Sequence, residues 1–211
     1  MTDELVFYTN PMSRGRIVRW MLEEVGRPYR TELLEFGTTM KAPEYLAINP
    51  MGKVPALRHG DTVVTEGAAI CAYLADAFPS AGLAPPPGDR LRGPYYRWLF
   101  FAAGPLEAAS TVKQLGFEVP AERRRMVGSG SLAEVVSVLE AELARREHLV
   151  GTGFTAADVY VGSHIGWGMM SGAIEKRPAF QAYVKRIGAR PAAIRARGID
   201  DALIASQKKP I

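Results

Sequence analysis

Cysteine is almost absent from this 211-residue chain, and the single Cys71 excludes an intramolecular disulfide and a Cys-x-x-Cys redox pair. Its apolar neighbours Ala69, Ile70, Ala72 and Leu74 make it a buried core thiol and not a nucleophile. Histidine is nearly as scarce: His59, His148 and His164 are dispersed, and their spacing supports neither a metal site nor a catalytic triad. No metal is expected. No apolar run approaches the roughly 20 residues of a membrane span, and the opening Met1-Thr2-Asp3-Glu4 is acidic where a signal peptide is basic. The expected location is therefore cytoplasmic, with no membrane partner. Basic clusters are confined to Arg123-Arg124-Arg125 and Lys208-Lys209; without interleaved aromatics they read as solvated surface, and no nucleic-acid partner is expected. What is present is the balance of a globular protein, 47% hydrophobic and 23% charged, with a net charge of +4 that helps to gather anions.

Leu5-Val6-Phe7-Tyr8 is an apolar run of strand length and reads as a buried central strand. From Ser13 to about Val25 the positions Ile17, Val18, Met21, Leu22 and Val25 recur at helical spacing, with Ser13 as N-cap and Gly26 at C′. Tyr29 to Leu34 reads as a second strand, Pro43 to Ile48 as a short helix, Val54 to Leu57 and Thr62 to Thr65 as a hairpin, and Ala68 to Phe78 as a helix. This β-α-β-α-β-β-α order is a thioredoxin-like α/β domain over residues 1–80. Pro79 to Gly88 is rich in proline, which stiffens a segment that cannot join a helix or sheet interior, so 81–89 is a linker. Residues 90–211 read as an all-α C-terminal domain. Its helices run from Leu91 to Leu115 with a kink at Gly104-Pro105, from near Ala121 to an interruption at Gly128-Ser129-Gly130, and from Leu132 to His148; a further helix opens on the capping box Thr155 to Asp158, and two more on Pro178 and Pro191.

The stretch Asn49-Pro50-Met51-Gly52-Lys53-Val54-Pro55-Ala56-Leu57, followed by Thr65-Glu66-Gly67-Ala68-Ala69-Ile70, has the makings of a ligand site. A proline cannot donate to a sheet ladder, which confines Pro55 to an edge or an end. Val54 then exposes a backbone N–H and C=O that can pair with an extended ligand of peptide character. Glu66-Gly67-Ala68 opens a helix whose free N–H groups and dipole favour a carboxylate, while Glu66 can hold an ammonium beside it. A ligand with both charges on one carbon, next to a peptide backbone, fits both halves.

These two strings resemble the glutathione-binding half of the cytosolic glutathione S-transferases, a valine-proline strand followed by a Glu-Ser-x-Ala-Ile turn, and most of the chain is compatible with that family. The resemblance implies a thioredoxin-like domain, a helical second domain, a cis proline, glutathione as co-substrate and a homodimer. It implies contacts from Lys53 to the glycine carboxylate, from the Val54-Pro55 backbone, and from Glu66 and Gly67. Gly67 departs from the pattern. Serine is usual there, and its missing hydroxyl bounds the lost affinity at about 1.5–3 kcal/mol.

A free cysteine thiol has a pKa of about 8.5, and the thiolate is the form that attacks an electrophile. Ser13, at the end of the first strand and the start of the first helix, combines a donor hydroxyl with the helix dipole and is the catalytic candidate, in line with serine-type, bacterial members of the family. Ser13 can equally be no more than a helix cap. Tyr8, Thr9, Asn10 and Arg14 are the alternatives, with Tyr8 facing the sheet. The expected activity is conjugation of glutathione to a small hydrophobic electrophile. A glutathione-binding module without turnover and a glutathione-dependent isomerase are the competing readings. An acceptor pocket is expected between the domains, lined from among Tyr95, Trp98, Phe101, Leu106, Trp167 and Met170, most of which must be core.

Overall fold

The computed structural model describes residues 3–207; Met1-Thr2 and the Lys208-Lys209 pair lie outside the described residues. Four short strands, β1 (Leu5–Thr9), β2 (Arg30–Leu33), β3 (Ala56–His59) and β4 (Thr62–Thr65), form one mixed sheet in the order β2-β1-β3-β4. The apolar run of β1 is central: it pairs in parallel with β2 and antiparallel with β3, and every residue of it is buried. The sheet carries α1 (Gly15–Val25), α2 (Pro43–Leu46) and α3 (Gly67–Ala77), which completes the thioredoxin-like order.

Of the two places open to Pro55, an edge or an end, the structure takes the end, and one expectation, the start of the first helix, needs correction. β3 is internal, bonded to β1 on one side and β4 on the other, and the edges are β2 and β4. Pro55 is compatible with this because the strand begins one residue after it, so its missing N–H falls outside the ladder. The first helix starts at Gly15 and not at Ser13, with Arg14 as N-cap. Gly26 closes it as expected, at φ +70° with its N–H donated to the Leu22 carbonyl.

Beyond the proline-rich stretch lie α4 (Arg92–Phe101), α5 (Glu107–Gln114), α6 (Leu132–Leu143), α7 (Ala156–Ser171), α8 (Pro178–Gly188) and α9 (Pro191–Gln207). Between α4 and α5 the predicted kink is a π-helical turn, Ala102–Leu106. Pro105 has no N–H to give the preceding turn, and the wider turn accommodates that loss. Ala121–Met126 is a 3-10 turn in place of the expected α-helix, and α6 ends before His148. Among the described residues no helix is long and apolar enough to cross a membrane.

Packing divides the chain into two compact units: the stretch up to Leu83 together with that from Ala189 onward, and Ala84–Gly188. The last helix therefore groups with the sheet, whereas the sequence reading places all of 90–211 together. Its reason is a seam of charge and small residues. Ala192, Ala193 and Ala196 are buried on α9, letting it approach α1 closely, and Arg19 meets Asp200 at 2.6 Å with both side chains 1% exposed. Arg16 to Asp201, Arg190 to Glu24 and Arg195 to Glu23 extend the seam.

Candidate active site

Because β3 runs antiparallel to both neighbours, the end of β1, the start of β3 and the end of β4 lie at the same end of the sheet. The Ser13 turn follows β1, Val54-Pro55 precedes β3, and Glu66-Gly67 follows β4. The last rung of the β3–β4 ladder is Ala56 opposite Thr65, so the next residues along the two chains are Pro55 and Glu66, then Val54 and Gly67. Topology thus brings the candidate residues together from three segments.

In the first segment Ser13 is half-buried, and its hydroxyl is used twice. It accepts the Gly15 N–H at 2.9 Å and donates to the Asn10 carbonyl at 2.7 Å. It therefore satisfies the first N–H of α1 from one position before the N-cap. Gly15 is required here, since a Cβ would stand 1.9 Å from Thr9 Oγ1. Asn10 is buried and committed to the backbone: its Oδ1 accepts the Met12 N–H at 2.9 Å and its Nδ2 donates to Leu34 O at 2.8 Å. Tyr8 is in the core beside Tyr45, with ring centroids 5.7 Å apart. Thr9 is fully buried, and Arg14 is exposed.

The second segment is held by Asn49, the first residue of the stretch, and by Tyr45, which sequence reasoning did not single out. Tyr45 Oη and Asn49 Nδ2 both donate to the Lys53 carbonyl, at 2.5 and 2.8 Å. Burial pushes the Tyr45 phenol up to about 12, so its proton stays in place at neutral pH. Asn49 also accepts the Met51 N–H at 3.1 Å, and Lys41 Nζ donates to Met51 O at 2.9 Å. Gly52, at φ +57°, closes the loop, where a Cβ would lie 2.6 Å from the Met40 carbonyl. Asn49 and Gly52 fall within the stretch read as a ligand site; the tyrosine eight residues before Lys53 left no sequence signal. Clamped in this way, Val54-Pro55 is cis. The Val54 side chain packs on the cluster of Tyr8, Met40 and Tyr45. Its N–H and C=O make no backbone hydrogen bond among the described residues. Lys53 itself is exposed.

In the third segment Glu66 adopts φ +65° and ψ 119°, the only positive φ outside glycine among the described residues. Such a conformation costs on the order of 1–3 kcal/mol and persists where the surroundings impose it. Its side chain is exposed, and Gly67 is the first residue of α3, with no side-chain cap on the helix. Cys71, further along α3, is fully buried, and burial pushes its thiol up to about 12. Of the residues considered for an acceptor pocket, Tyr95, Trp98 and Leu106 are buried, Phe101 is half-buried, and Trp167 and Met170 are exposed.

Comparison with known proteins identifies the family of both domains. The family models for the N-terminal and C-terminal domains of glutathione S-transferase match residues 12–77 and 109–191. Glutathione S-transferase 3 of Zea mays is 31% identical over 204 residues, 89% of this chain and 90% of the relative. Among solved structures, a glutathione transferase from Methylococcus capsulatus superposes with a TM-score of 0.78 at 30% identity, over 94% of this chain and 99% of that one. A sphingomonad glutathione S-transferase in complex with glutathione gives a TM-score of 0.76 at 28% identity, over 93% and 98% of the two chains. From the cis Val54-Pro55 segment, the turn into α3 and these matches to both domains, the chain belongs to the glutathione S-transferase family of enzymes.

Proposed function

We propose that the protein binds glutathione at this end of the sheet and adds its thiol to a small hydrophobic electrophile. The observation that carries the reading is the Val54 backbone, clamped through the Lys53 carbonyl yet unpaired itself, beside the uncapped start of α3. Val54 pairs with the cysteinyl backbone of the tripeptide. The N–H groups at Gly67 and Ala68 receive the γ-glutamyl carboxylate, Glu66 its ammonium, and Lys53 the glycine carboxylate. Sulfur then forms a bond to an electrophilic carbon, a leaving group departs with the bonding pair, and the thiol proton passes to solvent. Family membership extends the reading to a cytoplasmic homodimer. The structure of the sphingomonad relative with glutathione supports the choice of co-substrate.

Ser13 is the group assigned to the thiolate. A hydrogen bond to a charged acceptor contributes about 1.5–3 kcal/mol, and one pKa unit corresponds to about 1.4 kcal/mol, so one donor lowers the bound thiol by about one to two units. The hydroxyl must turn from the Asn10 carbonyl to sulfur while still accepting the Gly15 N–H. Its present engagement with Asn10 favours a second reading, a glutathione-binding module in which Ser13 only fastens the turn.

Retention on immobilised glutathione followed by turnover with a panel of electrophiles separates the two. Conjugation is expected; retention without turnover selects the module, and failure to bind removes both. In Ser13→Ala the first reading predicts a raised pKa of bound glutathione and reduced kcat with little change in affinity. The second predicts loss of about 0.5–2 kcal/mol of stability with that pKa unmoved. Ultraviolet titration of bound thiolate beside thermal denaturation reads both.

A further inference from the structure

An open concavity of about 510 Å³ adjoins the Ser13 turn, lined by Asn10, Met12, Glu35, Phe36, Ser206 and Gln207. Its walls come from three elements that the fold holds together. β2 is parallel to β1, so the segments that follow them leave the sheet at the same end. Leu34 N–H donates to Thr9 O at 2.9 Å and Asn10 Nδ2 returns to Leu34 O at 2.8 Å, which fastens one segment to the other. The third wall is the last turn of α9, anchored two turns earlier by the buried Arg19–Asp200 pair.

The lining has a definite chemistry. Met12 and Phe36 are 60% and 57% exposed and offer a polarizable thioether and a ring face to a flat apolar molecule. Ser206, Gln207 and Asn10 are neutral. Glu35 is the one ionisable residue of the lining among the described residues. Its carboxylate has the Thr38 hydroxyl at 3.5 Å and no cationic partner among the described residues, while Arg16 of the neighbouring α1 is already engaged by Asp201.

We propose that Glu35 sets a charge rule for the electrophile: flat aromatic acceptors that are neutral or cationic are taken, and anionic ones of the same size are turned away. The inference rests on the conjugating reading above, with sulfur delivered from the Ser13 turn. Glu35 is exposed, so water and salt screen it, and the discrimination is a factor of several and not of thousands.

The test uses the full chain and three chlorodinitrophenyl acceptors: a carboxylate, its uncharged amide and a trimethylammonium analogue. In each, glutathione sulfur attacks the ring carbon bearing chlorine, chloride leaves with the bonding pair, and the thiol proton goes to solvent. Each kcat/KM is divided by its uncatalysed rate with glutathione, which cancels intrinsic reactivity. Glu35→Gln should raise the carboxylate-to-amide ratio by about threefold or more and lower the trimethylammonium-to-amide ratio. In the unmodified protein, raising salt from about 0.05 to 0.5 M should move both ratios the same way, which needs no variant to fold. Ratios that stay within twofold under both treatments, or an unmodified protein that prefers the anion, overturn the charge rule and leave conjugation standing. Retention on glutathione with no turnover of any acceptor overturns the conjugating reading and the rule with it.

Discussion

Two helix starts, α7 with Asp158 in its first turn and α3 with Glu66 at its N-cap, have opposite character. At α7, Asp158 is fully buried, and each of its oxygens is satisfied: Oδ1 accepts the Leu149 N–H at 3.0 Å and the Tyr183 hydroxyl at 2.8 Å, Oδ2 the Thr155 N–H at 2.9 Å and hydroxyl at 3.1 Å. Burial and the neighbouring Asp158 charge hold the Tyr183 phenol well above its usual range, so it remains a donor. At α3, Glu66 is exposed, its backbone is forced to φ +65°, and no side chain caps the helix. A buried, saturated carboxylate has nothing left to offer a ligand and serves the fold. An exposed, strained one before an uncapped helix keeps its carboxylate at the surface at a cost in stability, as the proposed glutathione site requires.

The largest effect that sharpens this contrast belongs to Asp158→Ala, which leaves the Leu149 and Thr155 N–H groups and the Tyr183 hydroxyl buried without an acceptor. A loss of about 3 kcal/mol or more is expected by chemical denaturation; a loss below about 1 kcal/mol would erase the distinction between the two starts. Gly67→Ser supplies the hydroxyl that this family usually carries and should tighten glutathione by about tenfold, with a ceiling of about a hundredfold, since a hydrogen bond to a charged group contributes about 1.5–3 kcal/mol. Isothermal titration without any gain would mean that water already fills the role. The smallest effect is the one with two signs. Glu66→Gly relieves the positive φ and should raise unfolding free energy by about 1 kcal/mol while weakening glutathione. A variant that is both less stable and unchanged in affinity would show that Glu66 belongs to the fold, as Asp158 does.

Features set by a few neighbouring residues were legible in the sequence. The apolar run of β1, the Gly26 stop of α1, the Gly104-Pro105 irregularity and the Thr155–Asp158 cap each arise within one or two turns of chain. Their physics is local: solvent exclusion of an apolar run, a left-handed stop, a missing N–H and a short side-chain bond. The Val54-Pro55 segment was legible for the same reason, and of the two places open to its proline, an edge or an end, the structure takes the end. Ser13 shows the limit of local reading. Its place beside the helix start was evident, yet whether its proton goes to Asn10 or to a ligand depends on groups that the spacing does not rank.

By itself, the sequence determined most element types and their order, the 3-10 turn at Ala121–Met126 apart, because periodicity, caps and prolines act through contacts a few residues apart. Only the tertiary structure decided that β3 is internal, that Tyr45 and Asn49 hold the Lys53 carbonyl, and that Glu66 takes a left-handed backbone. It alone also decided that α9 returns to α1 through Arg19 and Asp200, which are 181 residues apart. These outcomes depend on which distant surfaces meet. An arginine or aspartate in a helix reads as solvated until its partner arrives, and the free energy that buries it comes from that partner.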